Sequence, residues 1–303
     1  MKKILLILAF SAAAFSADSR ASAQELYSSA RSAEQIRDWK QTAKYSQALI
    51  KAHHESPFIS DALFMLAHSC YQLGELNSAN RHFSEYLKTQ TTPENFERAL
   101  KYKFDIAGRF ADGAKMHLLN VRYLPKLMSA KEYAIEIFDE VIATLPRHEL
   151  ASEALYRKAK LLYELEDFRP AVEAYQTLIR RFPKHPRAPE SYLGIGDVYL
   201  KQCEVEFKAP EYLDLAKLNY QKFLNDFPGE ERLNVAHRKI MSMEEEYAAD
   251  LFEMGDFFER TKKHQAAALY YHNILKRFPD TKIATKAKQR LFKLNYSRPE
   301  QAS

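Results

Sequence analysis

Apolar positions along this chain recur every three or four residues. Four of the runs close on one phrase, Ala-x3-aromatic-x7-Pro: Ala134/Phe138/Pro146, Ala171/Tyr175/Pro183, Ala216/Tyr220/Pro228 and Ala267/Tyr271/Pro279. A fifth copy, Ala79/Phe83, lacks the proline. Alanine and aromatic four residues apart share one helix face, and the proline disfavours helical geometry at the residue before it. Each phrase therefore predicts a helix with a fixed stop. Ahead of most of them lies a second apolar stripe with its own small residue: Leu63/Ala67, Leu155/Ala159, Tyr192/Gly196 and Leu251/Gly255. A glycine inside a helix costs about 1 kcal/mol of propensity, so it needs a packing reason, and close approach of paired helices supplies one. A repeated hairpin predicts an all-α solenoid of about six hairpins.

These hairpins resemble tetratricopeptide repeats, a resemblance that implies an all-α, right-handed α-α superhelix. The resemblance rests on Leu63, Ala67, Gly74, Leu76, Ala79 and Phe83, then on Leu155, Ala159, Phe168, Ala171, Tyr175 and Pro183. Tyr192, Gly196, Tyr199, Ala216, Tyr220 and Pro228 make a further copy, and Leu251, Gly255, Phe258, Ala267, Tyr271 and Pro279 the last. The prolines stand 37, 45 and 51 residues apart, more than that family's 34-residue period, which predicts longer helices or loops in the later repeats. Extra length is expected at Cys203 to Pro210. A degenerate first hairpin is expected over Ile36 to His54 with Trp39 and Ala43, and a capping helix over Thr281 to Leu294.

The third repeat is the most altered. A helix near Glu94 to Phe110 is followed by Ala111 to Ser129, where Met116, Leu118, Leu119, Val121, Tyr123, Leu124 and Leu127 predict an apolar loop or short helix. Such a segment either meets a partner or covers its own solenoid. The expected domains are a leader over 1–23, degenerate repeats over 24–146 with the insertion near 111–129, further repeats over 147–295, and a tail over 296–303.

The N-terminus changes where this fold is expected to work. Lys2 and Lys3 precede an apolar run, Ile4 to Phe15, followed by Ala21-Ser22-Ala23, a small-x-small cleavage signal. Export to the periplasm with a cut after Ala23 is expected. The run is too short for the roughly 20 residues of a membrane span. A lipid anchor needs a cysteine at the leader's end, whereas the cysteines are Cys70 and Cys203, so no lipid anchor is expected. In a solenoid such distant repeats rarely touch, and free thiols are expected.

Composition narrows the function. Seven glycines in 303 residues is far below the usual ~7% and disfavours glycine-rich phosphate loops. The formal charge of +5 is carried by basic residues interleaved with acidic ones, a solvated surface rather than a nucleic-acid footprint. Gly194-Ile195-Gly196 lacks the third glycine of a dinucleotide loop and lies mid-helix, so it reads as packing. No His-Glu-x2-His pattern occurs, and His53-His54 diverge on a helix. Neither catalysis, a cofactor nor a metal is expected.

In the tetratricopeptide family the first helix of each pair lines the concave face. The resemblance places Phe64, His68 and Tyr71 there, then Tyr156, Lys160 and Tyr163, then Leu193, Asp197 and Leu200, then Phe252, Asp256 and Glu259. Tyrosine and phenylalanine supply contact area with few rotamers to freeze, which suits recognition of peptide segments. The alternative is packing between adjacent repeats.

The half from about Ala151 to Leu294 is similar to the BamD family, the tetratricopeptide lipoproteins of the machine that folds β-barrel proteins into bacterial outer membranes. The carrying residues are Ala171-x3-Tyr175 with Phe182-Pro183-Lys184-His185-Pro186, and Tyr220-x2-Phe223-Leu224-x2-Phe227-Pro228. Glu246-Tyr247-Ala248-Ala249, Phe257-Phe258-Glu259-Arg260, Ala266-Ala267-Ala268 and Arg277-Phe278-Pro279-Asp280-Thr281 complete them. The resemblance implies a scaffold docked on the barrel-inserting outer-membrane assembly protein, with the N-terminal repeats receiving unfolded outer-membrane proteins. Other readings are an exported adaptor of the Tol-Pal or cell-division type, a periplasmic chaperone, or an envelope enzyme or metal carrier. Gln24 to Lys51 offers no sustained heptads of the kind such adaptors carry.

Overall fold

The computed structural model describes residues 21–89, 95–117, 126–205 and 210–294. The apolar run Ile4 to Phe15 and the tail 296–303 lie outside the described residues, as do 118–125 and 206–209. Thirteen helices and two short strands fall among the described residues, grouped in two compact units, Met1–Ala154 and Leu155–Ser303. The first unit contains three hairpins: α1 (Ala23–Gln35) with α2 (Trp39–Ala52), α3 (Ile59–Gln72) with α4 (Leu76–Thr89), and α5 (Phe96–Ala111) with α6 (Lys131–Thr144). The unit boundary falls inside α7 (Glu149–Glu164). The second unit continues with α8 (Phe168–Arg181), then α9 (Arg187–Val205) with α10 (Pro210–Asp226), then α11 (Leu233–Arg260) with α12 (His264–Arg277), and closes on α13 (Lys282–Lys293).

The repeated phrase forms the core. Ala79, Phe83, Ala134, Phe138, Ala171, Ala267 and Tyr271 are fully buried, and each buried aromatic contributes about 1.5–3 kcal/mol by leaving water. Leu145, Phe182 and Phe278, each just ahead of a motif proline, end their helices at φ −124, −130 and −134° with ψ of 61, 56 and 53°, outside the helical region that a following proline disfavours.

The opposite turn, inside five of the hairpins, repeats a different device. Arg37, Gly74, Gly113, Glu166 and Lys262 adopt left-handed φ between 59 and 100°. The next amide bonds back to the carbonyl five residues earlier, as from Asp38 to Ala33, Glu75 to Cys70 and Asp167 to Leu162, each at 2.9 Å. This satisfies helix-end carbonyls.

Side-chain bonds in the first unit carry the repeat period. Tyr27 donates to Asp61 at 2.9 Å, Tyr71 to Asp105 at 2.5 Å, and His68 meets Glu34 at 3.3 Å, each pair 34 residues apart. Successive first helices are thus stitched at the spacing of a tetratricopeptide repeat.

Several expectations change. The first hairpin begins at Ala23 rather than Ile36, because Leu26, Ala30 and Ala33 bury a helical stripe and Ser22 with Glu25 forms a capping box. Instead of a loop or short helix, the ends of the third-repeat insertion pair as antiparallel strands β1 (Met116–His117) and β2 (Lys126–Met128). Leu118, Leu119, Val121, Tyr123 and Leu124 lie outside the described residues. Proline spacing grows through helix length: α9 spans 19 residues and α11 spans 28.

Behind the third hairpin, the buried Lys103 donates to Asn80 Oδ1 at 2.7 Å and Ser84 Oγ at 2.6 Å and pairs with Glu140 at 2.5 Å. A buried ammonium needs all its donors engaged, and here each one is.

Candidate functional site: a tyrosine-lined cleft

In the second unit, α7 presents Tyr156, Lys160 and Tyr163 at i, i+4 and i+7, one face of the helix. From α9 come Glu190, Leu193, Gly194 and Asp197. Tyr175 of α8 forms the floor and Lys239 of α11 closes one side. Together these nine residues enclose a cleft of about 300 Å³. Five predicted groove residues meet here: Tyr156, Lys160, Tyr163, Leu193 and Asp197. Leu200, a turn further along α9, is half-buried and is not a lining residue.

Gly194 lets α9 pass over the Tyr175 ring, since a Cβ there would lie within 3.0 Å of its tip. Gly196, where the sequence placed close approach, has only Lys239 Cδ nearby at 4.0 Å. The close contact is therefore one half-turn away, because α9 crosses the preceding α8 at Tyr175. At Gly255 the expected contact is present: a Cβ would sit 2.5 Å from Tyr271.

Charges in the cleft are mostly matched. Lys239 Nζ donates to Asp197 at 2.5 Å. Glu190 takes Arg187 at 2.6 Å and faces Arg232 at 3.7 Å. The Arg187 guanidinium lies 4.5 Å from the centre of the Tyr156 ring, a cation-π contact. Burial raises the Tyr175 and Tyr163 hydroxyl pKa values, and the Asp197 carboxylate raises both further. Both hydroxyls therefore stay protonated donors across the physiological range.

The remaining predicted residues divide. In the first unit, Phe64 is buried, 5% exposed, edge-on to Tyr86 and Phe83 at 5.3 and 5.8 Å. His68 lies 3.3 Å from the Glu34 carboxylate through Nδ1 and 3.1 Å from the Gln72 amide nitrogen through Nε2. Tyr71 donates to Asp105 and accepts from Arg109, each at 2.5 Å, while Arg109 Nε reaches Asp105 at 2.8 Å. In the last hairpin, Arg290 bridges Glu259 at 3.1 Å and Asp256 at 3.2 Å, and Phe252 packs 5.3 Å from Tyr271.

Tyr175, Lys239, Glu190 and Gly194 were not anticipated as lining residues. Tyr175 carries the core motif, and Lys239 lies in the extension of α11, where no repeat position points to it. The glycine pair inside a helix was the available signal.

Aromatic faces, protonated hydroxyls and one uncommitted ammonium can recognise a ligand. Among the described residues no group of three or more His, Cys, Asp or Glu could hold a metal, and no helix is long and apolar enough to cross a membrane. Paired helices presenting such a face define a tetratricopeptide-type protein-interaction scaffold. Residues 126–303, more than half of the chain, match the YfiO family of outer membrane lipoproteins, and the chain belongs to that family. No curated protein matches it. A tetratricopeptide repeat protein from Parabacteroides merdae is 14% identical over 88% of this chain and 97% of its own, with a TM-score of 0.37. The C-terminal part of a repeat protein from Cytophaga hutchinsonii is 13% identical over 88% and 87%, with a TM-score of 0.39. MamA protein is 16% identical over 69% and 92%, with a TM-score of 0.38.

Proposed function

We propose that this protein is a periplasmic scaffold for the assembly of outer-membrane β-barrel proteins, exported by a leader cut after Ala23 and held at the outer membrane by its partner. The observation carrying this reading is the cleft lined by Tyr156, Tyr163 and Tyr175, aromatic area suited to contact with a protein partner, in a member of an outer membrane lipoprotein family. The barrel-inserting protein is the stable partner and unfolded outer-membrane proteins are the transient ones. Exposed apolar side chains on the last three helices, Met254, Phe257, Leu269 and Phe292, support docking through the C-terminal repeats, since apolar area outside a core marks interaction surfaces.

A crosslinked pull-down of the tagged protein from its own cells, with membrane and soluble fractions analysed separately, tests this. Enrichment of the barrel-inserting protein in the membrane fraction is expected. Recovery in the soluble fraction with other envelope proteins would leave the fold and overturn the role.

A further inference from the structure

The last described helix, α13, is charged unlike the rest of the molecule. Between Asp280 and Glu300 the sequence has no acidic residue, yet α13 carries Lys282, Lys286, Lys288, Arg290 and Lys293. Its buried stripe, Ala284, Ala287 and Leu291, seats it on α11 and α12. Arg290, beside that stripe, is taken by Asp256 and Glu259. The four lysines are exposed. Lys282, Lys286 and Lys293 fall within about 40° of one another around the helix axis, opposite the buried stripe. Lys288 stands at the edge of this outer face, and Phe292, 85% exposed, lies between it and the other three.

Among the described residues none of the four ammonium groups has a carboxylate partner. Elsewhere Lys101, Lys201, Lys217 and Lys239 are paired with Glu97, Glu204, Glu244 and Asp197. Like charges a turn apart, as at Lys282 and Lys286, repel and weaken a helix, so an unneutralised stripe calls for an external anion.

From this we infer that the outer face of α13 rests on an anionic phospholipid bilayer, the lysines against headgroup phosphates and Phe292 in the interfacial layer. This goes beyond docking on a protein partner, because the chain itself makes the lipid contact. Lysine rather than arginine suits that occupant. Its ammonium is a hydrated point charge on a flexible stem and can follow phosphates that diffuse laterally, whereas the fixed carboxylates of an acidic protein match the planar fork of arginine. Basic residues around an exposed aromatic ring bind such a surface through both charge and buried apolar area. The match to a family of outer membrane lipoproteins favours the same occupant.

Co-flotation of the protein, as its own cells export it, with phosphatidylcholine vesicles that contain or lack phosphatidylglycerol tests this. Binding is expected only where phosphatidylglycerol is present, and should weaken as salt rises. Lys282→Gln, Lys286→Gln and Lys293→Gln together should weaken it about a hundredfold, at roughly fivefold per lysine near an anionic surface. Lys40→Gln, Lys184→Gln and Lys222→Gln, which remove the same charge from exposed positions off α13, should leave it nearly unchanged. Phe292→Ser should weaken it severalfold without altering the salt dependence.

Equal binding to both kinds of vesicle, binding to neither, or equal losses in the two triple variants overturns the assignment. So does release from the vesicles by soluble poly-glutamate at equal charge, which would give the face to an acidic protein. Docking on the barrel-inserting protein is read separately, in the pull-down.

Discussion

The two units present tetratricopeptide-type faces that differ in what their side chains have left to give. On the first, His68 bonds both Glu34 and Gln72, Tyr71, Asp105 and Arg109 close a triad, and Phe64 is buried. On the second, between α7 and α9, Lys160, Tyr163 and Tyr175 line a cleft with their donors uncommitted. The same consensus positions produce a stitched surface in one place and an open site in another. A repeat position sets which way a side chain faces, while its neighbours decide whether it remains available.

The largest expected effect breaks the stitched side. Lys103→Ala leaves Glu140, Asn80 and Ser84 without their shared cation and should cost about 3 kcal/mol, as removal of one partner from a buried charged network does. Urea unfolding of the full chain measures it. A loss under about 1 kcal/mol would mean that the first unit is not held by that network.

Next come the two glycines of α9. Gly194→Ala should cost about 1–3 kcal/mol by forcing its methyl into the Tyr175 ring, and should narrow the cleft. Gly196→Ala, in open space inside a helix, should be neutral or stabilising by up to about 1 kcal/mol. Thermal melts of the pair separate these outcomes, and equal shifts would contradict the contact at Tyr175.

Gly194 also marks how far the sequence could be read. The hairpins, their proline stops and the buried Ala–aromatic core were legible, because helical periodicity and proline geometry are local. The choice between Gly194 and Gly196 was not, because it depends on where α9 crosses α8. The start of α1 was legible in part: Leu26, Ala30 and Ala33 form a helical stripe, but alanine-rich polar sequence hides it beside the leader. Lys239 could not be assigned to the cleft, since it arrives by the unbroken length of α11. The strand pair at Met116 and Met128 had no periodic signal, being two and three residues long.

A smaller effect distinguishes a stitched tyrosine from an open one. Burial and the Asp105 carboxylate push the Tyr71 hydroxyl from its ordinary 10.0 up to about 12. A folded-state value above the unfolded one means that this contribution is complete below pH 10 and is lost as pH rises toward 12. Tyr71→Phe should flatten the stability decline over that window in pH-dependent melts and leave peptide binding unchanged. An unaltered slope would show that the Tyr71 triad does not form.

The smallest expected effect lies in the hairpin turns. Glu166 adopts a left-handed φ of 59°, a geometry in which a side chain costs roughly 1 kcal/mol. Glu166→Gly should stabilise by about 0.5–1 kcal/mol in a thermal melt, and destabilisation would contradict the turn.

The measurement that tests the account most directly is site-specific photocrosslinking in the protein's own cells, with the crosslinking residue placed in turn at Leu193 in the cleft and at Gln72 on the stitched face. Adducts with outer-membrane β-barrel proteins or their assembly protein are expected at Leu193 and not at Gln72. Adducts confined to Gln72, or equal at both positions, would contradict the claim that the cleft between α7 and α9 is where this scaffold takes hold of its protein partners.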